Sequence, residues 1–299
     1  MLQVLTHNIL PIFAMLALGF AMGRGRIASA SEARALNRIA FLVLQPPLIF
    51  LLITQNDLGS FDLYALTLYF VAEAVTFIFS YAAARYLFRR EIAEAWLLAM
   101  CVVFVNSLLY VGPISYLIYG QTAALPITAI VVLDATVWFS FFIISMELIV
   151  GRPTKRVAAR RIFSNPVIVT IALSLGISLL GLDVTEPVKT AANFAGSAAA
   201  PLTLFALGVT LSAHSLTPNP TVIGISALKL LFFPFLVWAC LAVFEPGNPW
   251  SDLFVLNAAG PSGMMAFALA MLYGVRTDCI APVIIWTSTL SLLSLAWLA

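Results

Sequence analysis

Ten stretches of about 20 mostly apolar residues follow one another along this chain. They lie near 4–23, 36–55, 61–84, 95–119, 123–149, 166–182, 190–211, 219–244, 252–274 and 279–298. Only 9% of the 299 residues are charged, against about 25% in soluble domains, so water is the wrong solvent for them. Within hydrocarbon a spanning backbone is an α-helix or part of a closed barrel. The stretches are apolar on every face and lack the period-2 alternation of barrel strands. The expected fold class is therefore an all-α integral membrane protein with ten transmembrane helices. Met1 to Asn8 lacks a positive n-region, so no secretory signal is expected. Cys101, Cys240 and Cys279 stand at unrelated spacings and read as free thiols, with no metal site.

The net charge is only +2, but its placement orients the chain. Arg24, Arg26, Arg34 and Arg38 follow the first span, and Arg85, Arg89 and Arg90 the third. Arg152, Lys155, Arg156, Arg160 and Arg161 follow the fifth, and Arg276 the ninth. The opposite loops carry Asp57, Asp183, Glu186, Glu245 and Asp252, with Lys189 their only basic residue. The positive-inside rule puts the basic loops in the cytoplasm and both termini on the extracytoplasmic side. The short loops and arginine-rich inner face suit a bacterial plasma (inner) membrane. His7 and His214 fall near span ends and read as solvated.

The basic segment 151–163 divides the chain into halves, 1–150 and 164–299, of five spans each. A shift of 154 positions brings Pro47 onto Pro201, Tyr119-Gly120 onto Tyr273-Gly274, Asn106 onto Gly260 and Asp134 onto Ser288. Because five is odd, the second half must insert upside down. That is an inverted-topology repeat, an arrangement that gives secondary transporters two alternating faces.

Two spans are broken. The fourth, "CVVFVNSLLYVGPISYLIYG", carries Asn106 and then Gly112-Pro113; the ninth, "LNAAGPSGMMAFALAMLYG", carries Asn257, Gly260, Pro261, Ser262 and Gly263. Asn106 and Gly260 each precede the matching Tyr-Gly by 14 residues, about 21 Å of helix, which places both breaks toward mid-membrane. Interrupted backbone is tolerated there only against protein or a watery cavity. The half-helix N-termini present free N–H groups and positive dipole ends, suited to an anion. Asn106 and Asn257 offer donor and acceptor without a buried charge, and Ser107 and Ser262 add hydroxyls. Gln45, beside Pro46-Pro47, and Thr203, beside Pro201, are second-rank candidates that serve either ligand or local backbone.

The stretches "LNRIAFLVLQPPLIF", "FVNSLLYVGP", "FSNPVIVTIALSLGISLLGL", "AAAPLTLFALGVTL", "LKLLFFP" and "NAAGPSGMMAFALAMLYG", in this order, give the chain a resemblance to the auxin efflux carrier family along essentially its whole length. The resemblance implies a five-plus-five inverted fold with crossing helices 4 and 9, like that of bile-acid/sodium symporters and Na⁺/H⁺ antiporters. It further implies scaffold and transport parts, elevator-type alternating access and a homodimer through the scaffold. The family's substrate region maps onto Asn106 with Gly112-Pro113 and onto Asn257 with Gly260-Pro261. The long central loop of plant members is missing, which puts auxin itself in doubt as substrate.

Glu73, Asp134 and Lys229 lie inside spans, where a charge is costly and usually pairs or handles ions. Either Glu73 and Lys229 compensate each other, or Glu73 or Asp134 carries a coupling H⁺ or Na⁺, or Lys229 neutralises substrate. No HExxH, GxSxG or P-loop is present, so an enzyme is not expected. The expected activity is secondary transport of a small organic anion, a dicarboxylate or malonate-like acid, with no cofactor and no nucleic-acid partner. The alternatives are a ligand sensor with a transporter fold, a channel, or a carrier for amino acids or auxin-like weak acids.

Overall fold

The computed structural model describes residues 7, 10–150, 164–213 and 217–298. The basic segment 151–163 and His214 lie outside the described residues. Helices account for the fold, and the described residues contain no strand beyond one isolated bridge. In order they are α1 (Leu10–Arg24), α2 (Ala30–Thr54), α3 (Leu63–Leu87), α4 (Ile92–Val103), α5 (107–119) and α6 (124–149). Then come α7 (Pro166–Leu179), α8 (Glu186–Ser212), α9 (Pro220–Phe244), α10 (Ser251–Ala258), α11 (Met265–Tyr273) and α12 (Ile280–Leu298). Six helical stretches of the described residues are long and apolar enough to cross a membrane. One of them, the 43 residues from Ser107 to Ile149, would be about 65 Å long if straight, twice a hydrocarbon core. Gly120, at φ +64°, turns it into α5 and α6. Gly274, its partner under the 154-residue shift, ends α11 at φ +69°. Both sites need a positive φ that glycine adopts without strain, although only Gly274 is in the left-handed helical region.

Polar side chains start the helices. Ser29 and Glu32 form a reciprocal capping box on α2. Asp62, Asn165 and Asn219 accept from the first-turn N–H groups of α3, α7 and α9. Proline is then absorbed by a local change of pitch. Wide π-turns close from Gln45 N to Ala40 O, from Gly112 N to Ser107 O and from Phe233 N to Leu228 O, each just before a proline. Such a turn makes room where proline has no N–H to give. Gly112-Pro113 therefore lies inside continuous α5 and does not interrupt the fourth span. The interruption lies earlier, at Phe104–Asn106.

The helices pack as two groups. One holds α1, α2, α7 and α8; the other holds α3 to α6 and α9 to α12. Each group draws on both halves of the chain. The α1–α8 pair comes together at backbone distance: a Cβ on Gly208 would lie 2.1 Å from Leu16 O, and one on Gly19 2.0 Å from Phe205 O. Small residues allow this approach where water supplies no drive between helices. Gly208→Leu is expected to destabilise the protein by about 1–3 kcal/mol through overpacking. A thermal melt in detergent reads this as a lowered Tm, and an unchanged Tm would show that α1 and α8 part without loss.

Candidate functional site

The two interruptions meet. α4 ends at Val103, and Phe104 turns extended, at φ −78° and ψ 97°. Val105 bridges antiparallel to Ser262. Asn106 N–H donates to Pro261 O at 3.0 Å, and Gly263 N–H donates to Phe104 O at 2.8 Å. A Cβ on Gly260 would lie 2.3 Å from Val111 Cγ2, so only glycine admits this approach. The carbonyls freed by the breaks are met by side chains. Ser262 Oγ donates to Cys101 O at 2.6 Å, Ser294 Oγ to Ala259 O at 3.1 Å and Lys229 Nζ to Ala258 O at 2.7 Å. Each unpaired carbonyl at this depth would cost several kcal/mol.

Beside this junction, between the two helix groups, is a cavity of about 350 Å³. From one group α2 supplies Asn37, Arg38 and Gln45, α7 the residue Val167 preceded by its cap Asn165, and α8 Thr203. From the other group come Asn106 to Leu109, Asp134 of α6, and Gly263 to Met265. Both half-helix N-termini, those of α5 and α11, thus form part of one wall.

Behind that wall lies a sealed polar cluster. Glu73 and Lys229 are fully buried and Asp134 is 4% exposed. Trp138 Nε1–H donates to Glu73 Oε2 at 2.6 Å, and Ser107 Oγ–H reaches Asp134 Oδ2 at 3.5 Å. Asn257 Nδ2 donates to Tyr69 OH at 2.9 Å. Glu73, Asp134 and Lys229 are near enough to feel one another's charge. Glu73 Oε1, Asp134 Oδ1 and Asn257 Oδ1 receive no donor. Ser107, Asp134 and Lys229 each occupy the first or second position of a π-turn, a feature common at functional sites.

The sequence candidates thus separate. Asn106, Ser107, Asp134, Gln45 and Thr203 line the cavity. Gly260, Pro261 and Ser262 build the junction, while Asn257, Glu73 and Lys229 face the sealed cluster. Gly112, Pro113, Pro47 and Pro201 lie away from the lining. Lys229 reaches a helix C-terminus and Glu73 is held by Trp138, so the two form no direct ion pair. Asn37, Arg38 and Asn165 were not singled out from sequence. The signal was present: Arg38, Phe41, Gln45 and Ile49 recur on one helical face and all four line the cavity.

Broken helices that meet beside a cavity between two helix groups are an arrangement found in solute carriers. Residues 4–298 match the model of a family described as membrane transport protein, and the chain belongs to that family, the auxin efflux carriers. A Rhizobium meliloti (strain 1021) protein named "Putative malonate transporter" is 28% identical over 297 residues, 96% of this chain and 92% of that protein. An "Uncharacterized transporter" of Methanothermobacter thermautotrophicus is 26% identical, covering 97% of this chain and 96% of its own length. The "Uncharacterized transporter YfdV" of Escherichia coli (strain K12) is 24% identical, covering 93% and 91%. These relatives are membrane transporters and not enzymes, and a small-molecule solute follows from the family.

Proposed function

We propose that this chain is a secondary transporter of a small organic anion of the dicarboxylate, malonate-like class. The observation that carries the reading is the convergence of Asn106 and two half-helix N-termini on one largely apolar cavity with a few polar groups. Those ends hold a carboxylate by free N–H groups and dipole charge without a buried countercharge. The name of the Rhizobium relative adds malonate as the first solute to try. We read the fold as ten crossings in two inverted halves, 1–150 and 164–299, supported by the positive-φ glycines Gly120 and Gly274 that end matched helices. The cavity between two helix groups suits elevator-type alternating access, with α1, α2, α7 and α8 as scaffold and as the surface of a homodimer. With the basic loops inward and both termini extracytoplasmic, the chain lies in the bacterial plasma membrane.

Asp134 belongs to both the cavity lining and the buried cluster, which suits it to carry the coupling ion. A proton fits better than Na⁺, because the Lys229 ammonium already sits near both carboxyls. Carboxyl oxygens with no donor, Glu73 Oε1 and Asp134 Oδ1, are places a proton would settle.

Flux into proteoliposomes tests the reading. Labelled malonate, succinate, lactate, an amino acid and indole-3-acetate are offered with imposed Na⁺ or pH gradients. Saturable carboxylate uptake is expected, reduced about tenfold or more in Asn106→Ala, the loss of one or two ligand hydrogen bonds. Binding without flux under every gradient would establish a sensor instead.

A further inference from the structure

We propose that Arg38 is the second anion anchor of the cavity and makes the site selective for dianions over monoanions; this rests on the transport reading above. Charge arithmetic leads there. Each half-helix N-terminus supplies roughly half a positive charge, so α5 and α11 together offset about one carboxylate. A second carboxylate needs a full cation. Among the described cavity-lining residues Arg38 is the only cationic side chain, and Asp134 is the only acid. With Asp134 ionised, a dianion lacking a cationic partner would be repelled.

Arg38 is available for that role. Four arginines at this end of the protein are engaged: Arg90 with Glu94 and Thr221, Arg276 with Glu91 and Glu94, Arg24 with Ser212 O and Arg85 with Arg90 O; Arg26, Arg34 and Arg89 do not line the cavity. No ion pair among the described residues involves Arg38. Its neighbours are prepared for a polar ligand as well. Asn37 Oδ1 and Thr203 Oγ1 are buried without a hydrogen-bond partner, and both residues line the same cavity. Thr203 is only 7% exposed. The guanidinium presents a planar fork of donors that matches a carboxylate edge to edge, which a lysine ammonium does not. Arg38 stands two helical turns before Gln45 on the same face of α2. Asn106 and Arg38 line one cavity from the two different helix groups, so a ligand held at its first carboxylate by Asn106 and the helix ends shares that space with the Arg38 side chain.

The test compares malonate with its monomethyl ester, which differs by one charge at nearly constant shape. Initial uptake rates are measured in proteoliposomes for wild type, Arg38→Gln and Arg38→Lys. Arg38 is exposed, so neither substitution disturbs packing, and matched Tm values confirm it. Arg38→Gln is expected to raise KM for malonate tenfold or more while leaving the monoester within twofold. Arg38→Lys is expected to fall between. Equal loss for both solutes, or no loss for either, overturns the assignment while leaving the transport reading intact. A wild type that moves neither solute overturns the transport reading, and the assignment with it.

Discussion

Lys229→Met is expected to destabilise the protein by about 3–5 kcal/mol, the usual result of removing one member of a buried charged arrangement. Lys229 is fully buried, donates at 2.7 Å to Ala258 O at the C-terminal end of α10, and lies 4.8 Å over the Phe233 ring. Methionine fills the same volume but leaves that carbonyl without a donor at a depth where water is absent. It also takes from Glu73 and Asp134 their nearby cation. The two losses are separable. If charge compensation dominates, Lys229→Met combined with Glu73→Gln recovers much of the stability. If capping of the broken helix dominates, the double variant is no better than the single. Thermal melts in detergent at one pH read both results. A Lys229→Met protein as stable as wild type would mean that the break is held without Lys229, by its backbone bonds to Phe104 and Asn106 and by the Ser262 and Ser294 hydroxyls.

The class of the protein and the existence of the breaks were legible because membrane physics is strict. Apolar length, absent charge and a misplaced Gly-Pro leave few readings. The 154-residue shift found the paired glycines at 120 and 274, although single identities at such spacing are weak. The break at Asn106 was legible from its spacing to the following Tyr-Gly, but the further break read at Gly112-Pro113 is absent. Gly112-Pro113 looks like the stronger disruption, yet a π-turn absorbs it, and the chain instead opens at Phe104–Asn106 to reach Ser262. Partners 157 residues distant leave no local mark. The division of candidates between cavity and cluster was equally hidden. Asn106 and Asn257 are alike in sequence, but one faces the cavity and the other donates to Tyr69. Arg38 was misfiled by charge counting, which assigns an arginine near a span end to the loop. The face it shares with Gln45 was the better guide.

Asp134→Asn is expected to abolish proton-driven accumulation while sparing exchange. Asp134 contacts both the cavity and the buried cluster through one side chain: it lines the cavity, and its carboxyl interacts with Glu73 and Lys229. A group in that position senses the solute and the membrane interior together. For one proton moved per solute, a two-unit pH gradient is worth about 2.8 kcal/mol and sustains about 100-fold accumulation. Asparagine keeps the shape and can still accept from Ser107, but carries no proton. Labelled malonate should therefore still exchange against unlabelled malonate across the proteoliposome membrane, with rates independent of pH. Its accumulation under the imposed gradient should drop from about 100-fold to none. Glu73→Gln serves as comparison, because Glu73 shares the cluster but does not line the cavity. If Asp134→Asn still accumulates solute against the pH gradient and Glu73→Gln does not, the proton resides on Glu73, and Asp134 only shapes the wall. If both variants accumulate solute normally, the cluster is a structural device that closes a broken helix, and the driving ion binds elsewhere.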